Sequence, residues 1–407
     1  MTAPLAGIRV LDLSRILAGP WATQLLADLG AEVIKVERPG TGDDTRAWGP
    51  PFLPDRSGGD GTDSAYFAST NRGKKSITLD IASTEGQAIA RALALTADVL
   101  VENYKVGDMA RYGLDYATLA RDHPRLVYCS VTGFGQDGPY RHRAGYDFMI
   151  QALGGLMSIT GERDELPGGG PQKCGVPIAD LMTGLYSTVG ILAALRERDT
   201  SGLGQHIDMA LLDTQVSWLM NHNLNYLVSG RVPRRWGNAH PNLAPYQAFA
   251  TQDGSLILAI GNDGQFRRFC AVAGIEAVAG EPRFADNKAR LANREALVAV
   301  VAEAMKTRTT GQWMTELEAQ GVPCGPVQTI DQVFADPQVV HRGLRRDLPH
   351  SGAGTVPQVA NPIRYSRTPI QYRHGPPLLG EHTRAVLAQD LGLDAARIAE
   401  LERQGVI

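Results

Sequence analysis

The residues with the clearest chemical potential are two aspartates. Asp180 closes the segment Gly175-Val176-Pro177-Ile178-Ala179-Asp180, and Asp147 lies in Ala144-Gly145-Tyr146-Asp147-Phe148. Behind Asp180 runs Leu181 to Leu195, almost wholly apolar or small, the pattern of a mostly buried helix. Asp180 therefore falls where the first N–H groups of a helix lack intrahelical partners. A carboxylate there can be a nucleophile held by backbone donors or a helix cap. Taken alone, the cap is the commoner use of Asp180, and Asp147 likewise reads as the N-cap of a helix that follows it.

Other chemistries find less support. Gly133-Phe134-Gly135-Gln136-Asp137-Gly138 fits the spacing of a dinucleotide loop and follows an apolar run, but Pro139, Tyr140 and a cluster of Arg and His follow where a helix should open. It reads as a glycine-rich turn. The nine histidines are dispersed, and none pairs with a second ligand at helical spacing, so no metal site is expected. Cys129, Cys174, Cys270 and Cys324 form no C-x-x-C pair and read as reduced thiols of a cytosolic protein. Neither a G-x-S-x-G elbow nor a Walker loop occurs. Arg38, Arg72, Lys74, Lys75 and Arg111 lie near the ends of apolar runs. In a parallel sheet such residues can converge on one edge and hold a polyphosphate, although each alone reads as a solvated charge.

The elements that must position these residues follow from the patterning. With 407 residues, 43% of them hydrophobic, and a formal net charge of −3, the chain can bury a large core plus a second lobe, and it lacks the basic balance expected of a nucleic-acid binder. The start, Met-Thr-Ala-Pro-Leu-Ala-Gly, has neither the basic nor the apolar part of a signal peptide. No run is expected to span a bilayer, because Thr, Gly and Ser interrupt Leu181–Leu195. Strands are expected at Ile8–Leu13, Glu32–Glu37, Lys75–Asp80, Ala97–Glu102 and Leu126–Thr132. Helices are expected from Gly19-Pro20 to Leu29 and, behind a capping-box-like Thr84-Glu85-Gly86-Gln87, through Leu95. This β-α-β rhythm predicts a mostly parallel, doubly wound sheet. Arg231–Pro245 reads as an irregular loop opening a smaller α/β lobe, with a strand at Leu256–Gly261 and helices at Gly264–Ala273, Leu291–Met305 and Thr310–Ala319. The tail, Leu379–Leu401, regains helical spacing.

Taken in order, several segments resemble the family III CoA-transferases, the CaiB/BaiF family. They are Val10-Leu11-Asp12-Leu13, Ala18-Gly19-Pro20, Leu29 to Glu37, Asn71 to Asp80 and Val101-Glu102-Asn103-Tyr104. Gly145-Tyr146-Asp147, Gly175 to Asp180, Gly204 to Asp208, Gly321 to Val327 and Leu378 to Thr383 continue the series over nearly the whole chain.

The resemblance implies a Rossmann-like large domain built from residues 1–228 and 326–407, a small domain over 229–325, and two subunits interlocked as a homodimer. It implies that Asp180 is the catalytic residue. Coenzyme A and acyl-CoA enter as substrates, with no tightly bound cofactor, no nucleic acid and no membrane. CoA contacts would fall on Ile16, Ala18, Arg38, Lys75, Asn103, Tyr104, Arg111 and Asp147. Leu17 stands where the formyl-CoA branch has Gln, and the small-domain loop, Arg235-Trp236-Gly237-Asn238-Ala239-His240, lacks that branch's glycine run. Both departures point away from formate and oxalate and toward succinyl-CoA with a dicarboxylate such as itaconate or hydroxymethylglutarate. Leu17, Arg235, Gly237, Asn238 and His240 would meet that acid, and Arg234, Arg235 and His240 suit a second carboxylate. An α-methylacyl-CoA racemase of the same superfamily would carry His where Tyr146 stands, and Tyr is a poor base near neutrality.

Overall fold

Continuous apolar runs, buried on both faces, explain the central sheet. The structure is a computed structural model describing residues 3–407; the first two residues of the stretch read above for a leader lie outside the described residues. Strands β1 (Arg9–Asp12), β2 (Glu32–Glu37), β3 (Lys75–Thr78), β4 (Val99–Glu102), β5 (Val127–Thr132) and β6 (His206–Ala210) pair in the order β3-β2-β1-β4-β5-β6, all parallel. Within each strand, neighbouring residues point to opposite faces. Val10, Val33, Val99 and Val127 enter one core with helices α1 (Ala18–Asp28), α3 (Asp147–Leu153) and α4 (Ile178–Ser201). Leu11, Ile34, Leu100 and Tyr128 enter the other, with α2 (Thr84–Ala94). Both faces are thus covered, as an all-parallel sheet requires.

Five of the six strands lie where the apolar runs predict them, with ends trimmed by at most two residues. Strand β6 was not expected. It is an edge strand whose His206 and Asp208 are exposed, so it shows no continuous apolar run. Helix α2 is capped one residue earlier than the predicted box: the Ser83 hydroxyl accepts the Gly86 N–H at 3.0 Å. Helix α4 extends the predicted run at both ends to 24 residues. By length and composition it is apolar enough to cross a membrane, which corrects the expectation from sequence, since its small residues scarcely dilute the apolar content. In the structure it packs against α1 and β5. A short helix, α5 (Leu211–Ser217), follows β6.

The chain forms two compact units. The first comprises residues 3–156, 174–224 and 337–407; the second comprises 157–173 and 225–336. In the second unit β7 (Tyr246–Ala250), β8 (Ser255–Ala259) and β9 (Cys324–Pro326) form an antiparallel sheet. Helices α6 (Asp263–Ala273), α7 (Arg294–Met305) and α8 (Thr310–Ala319) pack on it through Phe249, Leu258, Phe269, Val301 and Trp313. These bounds differ from those drawn on the sequence. Residues 157–173 join the second unit because Gly161 and Ser158 are stitched to Gly237 and Arg235. Residues 326–336 stay there beyond β9. The return segment adds the hairpin β10 (Arg345–His350) and β11 (Gly354–Val359), then α9 (Thr383–Leu391) and α10 (Ala395–Arg403), to the first unit. The helical spacing of the tail resolves into these two helices, separated at Gly392, whose φ of +66° ends α9.

Candidate active site

The strand order reverses between β1 and β4, so the loops leaving their carboxyl ends part and open a crevice. A cavity of about 380 Å³ lies there. Arg15 to Ala18 line it from the loop after β1, and Asn103, Tyr104 and Lys105 from the loop after β4. Asn103 ties the two loops together: its side chain accepts the Arg15 N–H at 3.0 Å and donates to the Arg15 carbonyl at 2.7 Å. Ile16 takes a φ of +73°, a conformation costly for a β-branched residue. Helix α1 then starts without a side-chain cap, and among the described residues nothing accepts the N–H groups of Leu17 and Ala18.

Asp180 also lines this cavity. It is the third residue of α4, half-buried, and among the described residues no donor reaches its carboxylate. The cap of α4 is instead Asp147, from the first turn of α3. One carboxylate oxygen accepts from Ala179 N at 2.8 Å and Asp180 N at 3.3 Å, and the other accepts from Gln151 Nε2 at 2.7 Å. Neither local expectation for a capping Asp holds in its simple form: Asp180 does not cap its own helix, and Asp147 caps a neighbour. Burial, with the negative charge of Asp147 second, pushes the Asp180 carboxyl up to about 7. The Tyr66 phenol, not singled out in the sequence, is pushed up to about 12 by burial and then by Asp180, Asp147 and Asp43, so it stays protonated.

The cavity carries more positive charge than the sequence reading assigned. Arg15, Lys105, Arg141, His142 and Arg143 all line it. The last three are the Arg/His cluster behind the false dinucleotide loop; residues 133–145 form no helix, as expected, but the turn delivers its cations to the crevice. Arg143 lies over the Tyr140 ring at 4.5 Å.

Of the expected CoA contacts, Ile16, Ala18, Asn103 and Tyr104 line the cavity, as does Leu17 from the expected acid contacts. Arg38 lies outside the lining and pairs with Asp44, which also pairs with Arg15. Arg111 is exposed beside Asp108 and Tyr112, both cavity residues. Lys75 departs from the expectation: it opens β3, and its ammonium turns to Glu32 at the amino end of β2, away from the carboxyl-end crevice. Asp147 sits behind Asp180 rather than in the lining.

Arg235, Gly237, Asn238 and His240 belong to the second unit. Arg235 pairs with Asp164 and donates to the Ser158 carbonyl. Gly237 has a φ of +58°, and a Cβ there would meet the Glu162 carboxylate at 2.7 Å. Asn238 is exposed on the turn. The His240 ring lies tilted against Tyr246, with centroids 5.2 Å apart, and accepts the Asn242 N–H; burial and then Arg294 lower its pKa. Arg234 and Arg294 both lie over Trp236, at 4.1 and 4.5 Å, with no carboxylate within 4.0 Å of either among the described residues. Arg294 was not picked out in the sequence because its position in a helical run reads as a surface charge.

A parallel α/β sheet whose switch-point cavity joins an unengaged carboxylate to a set of cations defines an enzyme acting on an anionic substrate. Residues 5–383 match the model of CoA-transferase family III, and the chain belongs to that family; it is a CoA-transferase. It is 52% identical over 386 residues to a succinate–glutarate CoA-transferase of Agrobacterium fabrum, covering 95% of each chain. It is 42% identical to the succinyl-CoA:glutarate CoA-transferase of Homo sapiens, over 99% of this chain and 90% of that one. Among solved structures, a CAIB/BAIF family protein from Brucella suis superposes with a TM-score of 0.84 at 49% identity, covering 96% of this chain and all of that one.

Proposed function

We propose that this enzyme moves CoA from succinyl-CoA to a dicarboxylic acid of the glutarate type, with Asp180 as the nucleophile. The observation that carries this reading is the unengaged Asp180 carboxylate in a cavity lined by free backbone N–H groups and by cations. The names of the relatives support glutarate as acceptor over itaconate or hydroxymethylglutarate, which share its two carboxylates.

An Asp180 oxygen attacks the thioester carbonyl, the C–S bond breaks, and CoA leaves as thiolate, giving a mixed anhydride. The thiolate attacks the Asp180 Cγ and expels succinate, leaving an aspartyl-CoA thioester. The acceptor carboxylate attacks that thioester and releases thiolate. The thiolate then attacks the acceptor's carbonyl and frees Asp180. Each step develops an oxyanion, and the Leu17 and Ala18 N–H groups at the start of α1 are free to receive one. Asp180 is only partly ionised near neutrality; Arg15, Lys105, Arg141 and Arg143 line the same cavity with charge suited to the phosphates of CoA. Within the second unit, Arg234 and Arg294 carry positive charge of the kind that pairs with a carboxylate. The exposed Leu185, Tyr186 and Val189 of α4 fit the interlocked homodimer implied by the resemblance.

Racemisation is the weaker reading, because the Asp147 carboxylate is already engaged by two backbone N–H groups and its neighbour is Tyr146. The test is a matrix of acyl-CoA donors against carboxylic acids, read by mass spectrometry of the CoA products. Succinyl-CoA with glutarate should give glutaryl-CoA, and Asp180→Ala should give none. Turnover by Asp180→Ala would remove the nucleophile assignment; failure of every dicarboxylate would remove only the substrate assignment.

A further inference from the structure

Ile16 is held in its unfavourable conformation by a buried ion pair. Its N–H points at both oxygens of Asp43, at 3.2 Å each. Asp43 is buried, and its carboxylate also accepts from the Thr45 N–H at 3.0 Å, the Thr45 hydroxyl at 2.8 Å and the Lys35 ammonium at 2.9 Å. Lys35, wholly buried in β2, donates as well to the Ser14 carbonyl at 2.9 Å. One ammonium therefore grips the loop two residues before Ile16 and, through Asp43, at Ile16 itself. The two residues that follow, Leu17 and Ala18, line the cavity with Asp180 and keep their N–H groups free. A buried ion pair is a weak source of stability, and this one is aimed at a single strained turn beside the reacting centre.

We propose that Asp43, neutralised by Lys35, is a positioning residue for CoA transfer: it holds Ile16 left-handed so that the Leu17 and Ala18 N–H groups receive the oxyanion formed at Asp180. The proposal rests on the Asp180 reading above. Relaxing Ile16 to negative φ would turn the start of α1 and misalign both donors, a loss felt in the transition state more than in substrate binding.

The experiment is a double-mutant cycle on kcat and KM. Asp43→Asn keeps an acceptor for the Ile16 N–H but removes the charge, and should lower kcat about 30-fold with KM for acyl-CoA changed less than about 3-fold. Glycine adopts positive φ freely, so in an Ile16→Gly background the same Asp43→Asn change should cost less than about 3-fold. An equal loss in both backgrounds, or no loss in the first, overturns the proposal. If Asp43→Asn does not fold, Ile16→Pro serves, since proline forbids positive φ; kcat should fall more than about 100-fold, and a normal kcat overturns the proposal. Asp180→Ala measured alongside separates the two readings: activity there sinks the nucleophile, whereas an inactive Asp180→Ala with an unaffected Asp43→Asn sinks only the positioning role.

Discussion

The Asp147 carboxylate occupies the start of α4 in place of Asp180: it accepts the Asp180 N–H at 3.3 Å and the Ala179 N–H at 2.8 Å. This frees Asp180 from capping and sets a second negative charge beside it. The same contact that orients the backbone of Asp180 thus also raises its pKa.

That coupling predicts a pH profile. In the free enzyme kcat/KM should fall as pH drops below about 7, because a protonated Asp180 cannot attack. Asp147→Asn retains an oxygen for the two N–H groups but loses the charge, so the midpoint should move to lower pH. Steady-state kinetics between pH 5 and 9 in both proteins measures the shift; a midpoint that stays put or rises contradicts the coupling.

The raised pKa also has a sign for stability. Asp180 in the folded protein holds its proton to about 7, whereas in the unfolded chain it loses it in the ordinary carboxylate range. The folded state binds more protons across that window, so the stability this group contributes is present below the ordinary range and is lost as pH rises through about 7. Asp180→Asn stays neutral throughout. It should therefore be more stable than the parent at pH 8 by about 1–3 kcal/mol, with the gain shrinking toward pH 5. Urea unfolding at the two pH values checks this.

The sheet was legible because Val10-Leu11, Val33-Ile34 and Val99-Leu100 are apolar on both faces, a signal carried by the residues themselves. Asp180 was legible as a candidate for the same local reason. What escaped was what depends on the meeting of distant segments. Asp147 caps a helix 32 residues away, and neither segment announces the other. Arg141 and Arg143 looked like the debris of a failed dinucleotide loop, and only the fold carries them into the crevice. Lys75 looked like a strand-end cation, but which end of the strand its ammonium faces depends on the register of β3 against β2.

Those placements separate the basic residues by function. Lys105→Ala and Arg143→Ala remove charge from the cavity lining and should each raise KM for acyl-CoA about 10-fold, the more so at low salt. Lys75→Ala breaks only a partly exposed pair with Glu32 and should change KM less than about 2-fold and stability by less than about 1 kcal/mol. A large KM effect at Lys75 would mean that its ammonium reaches the substrate.

Two glycines of α4 should behave oppositely when given a methyl group. A Cβ on Gly184 would lie 2.5 Å from the Ala18 carbonyl oxygen and 2.9 Å from the Trp21 ring. Neither is free to move without shifting α1, so Gly184→Ala should cost about 1–3 kcal/mol. Because Ala18 lines the cavity and Asp180 lies one turn earlier on α4, the displacement should also lower kcat. A Cβ on Gly190 meets only the Ile207 side chain, at 3.5 Å, an ordinary contact. There the better helix propensity of alanine should stabilise the protein by about 0.5–1 kcal/mol, with kcat unchanged. Thermal unfolding and kcat measured on both variants distinguish a close α1–α4 approach that sets the site from one that merely fills space: equal, small effects at the two positions would show that α1 can give way without disturbing Asp180.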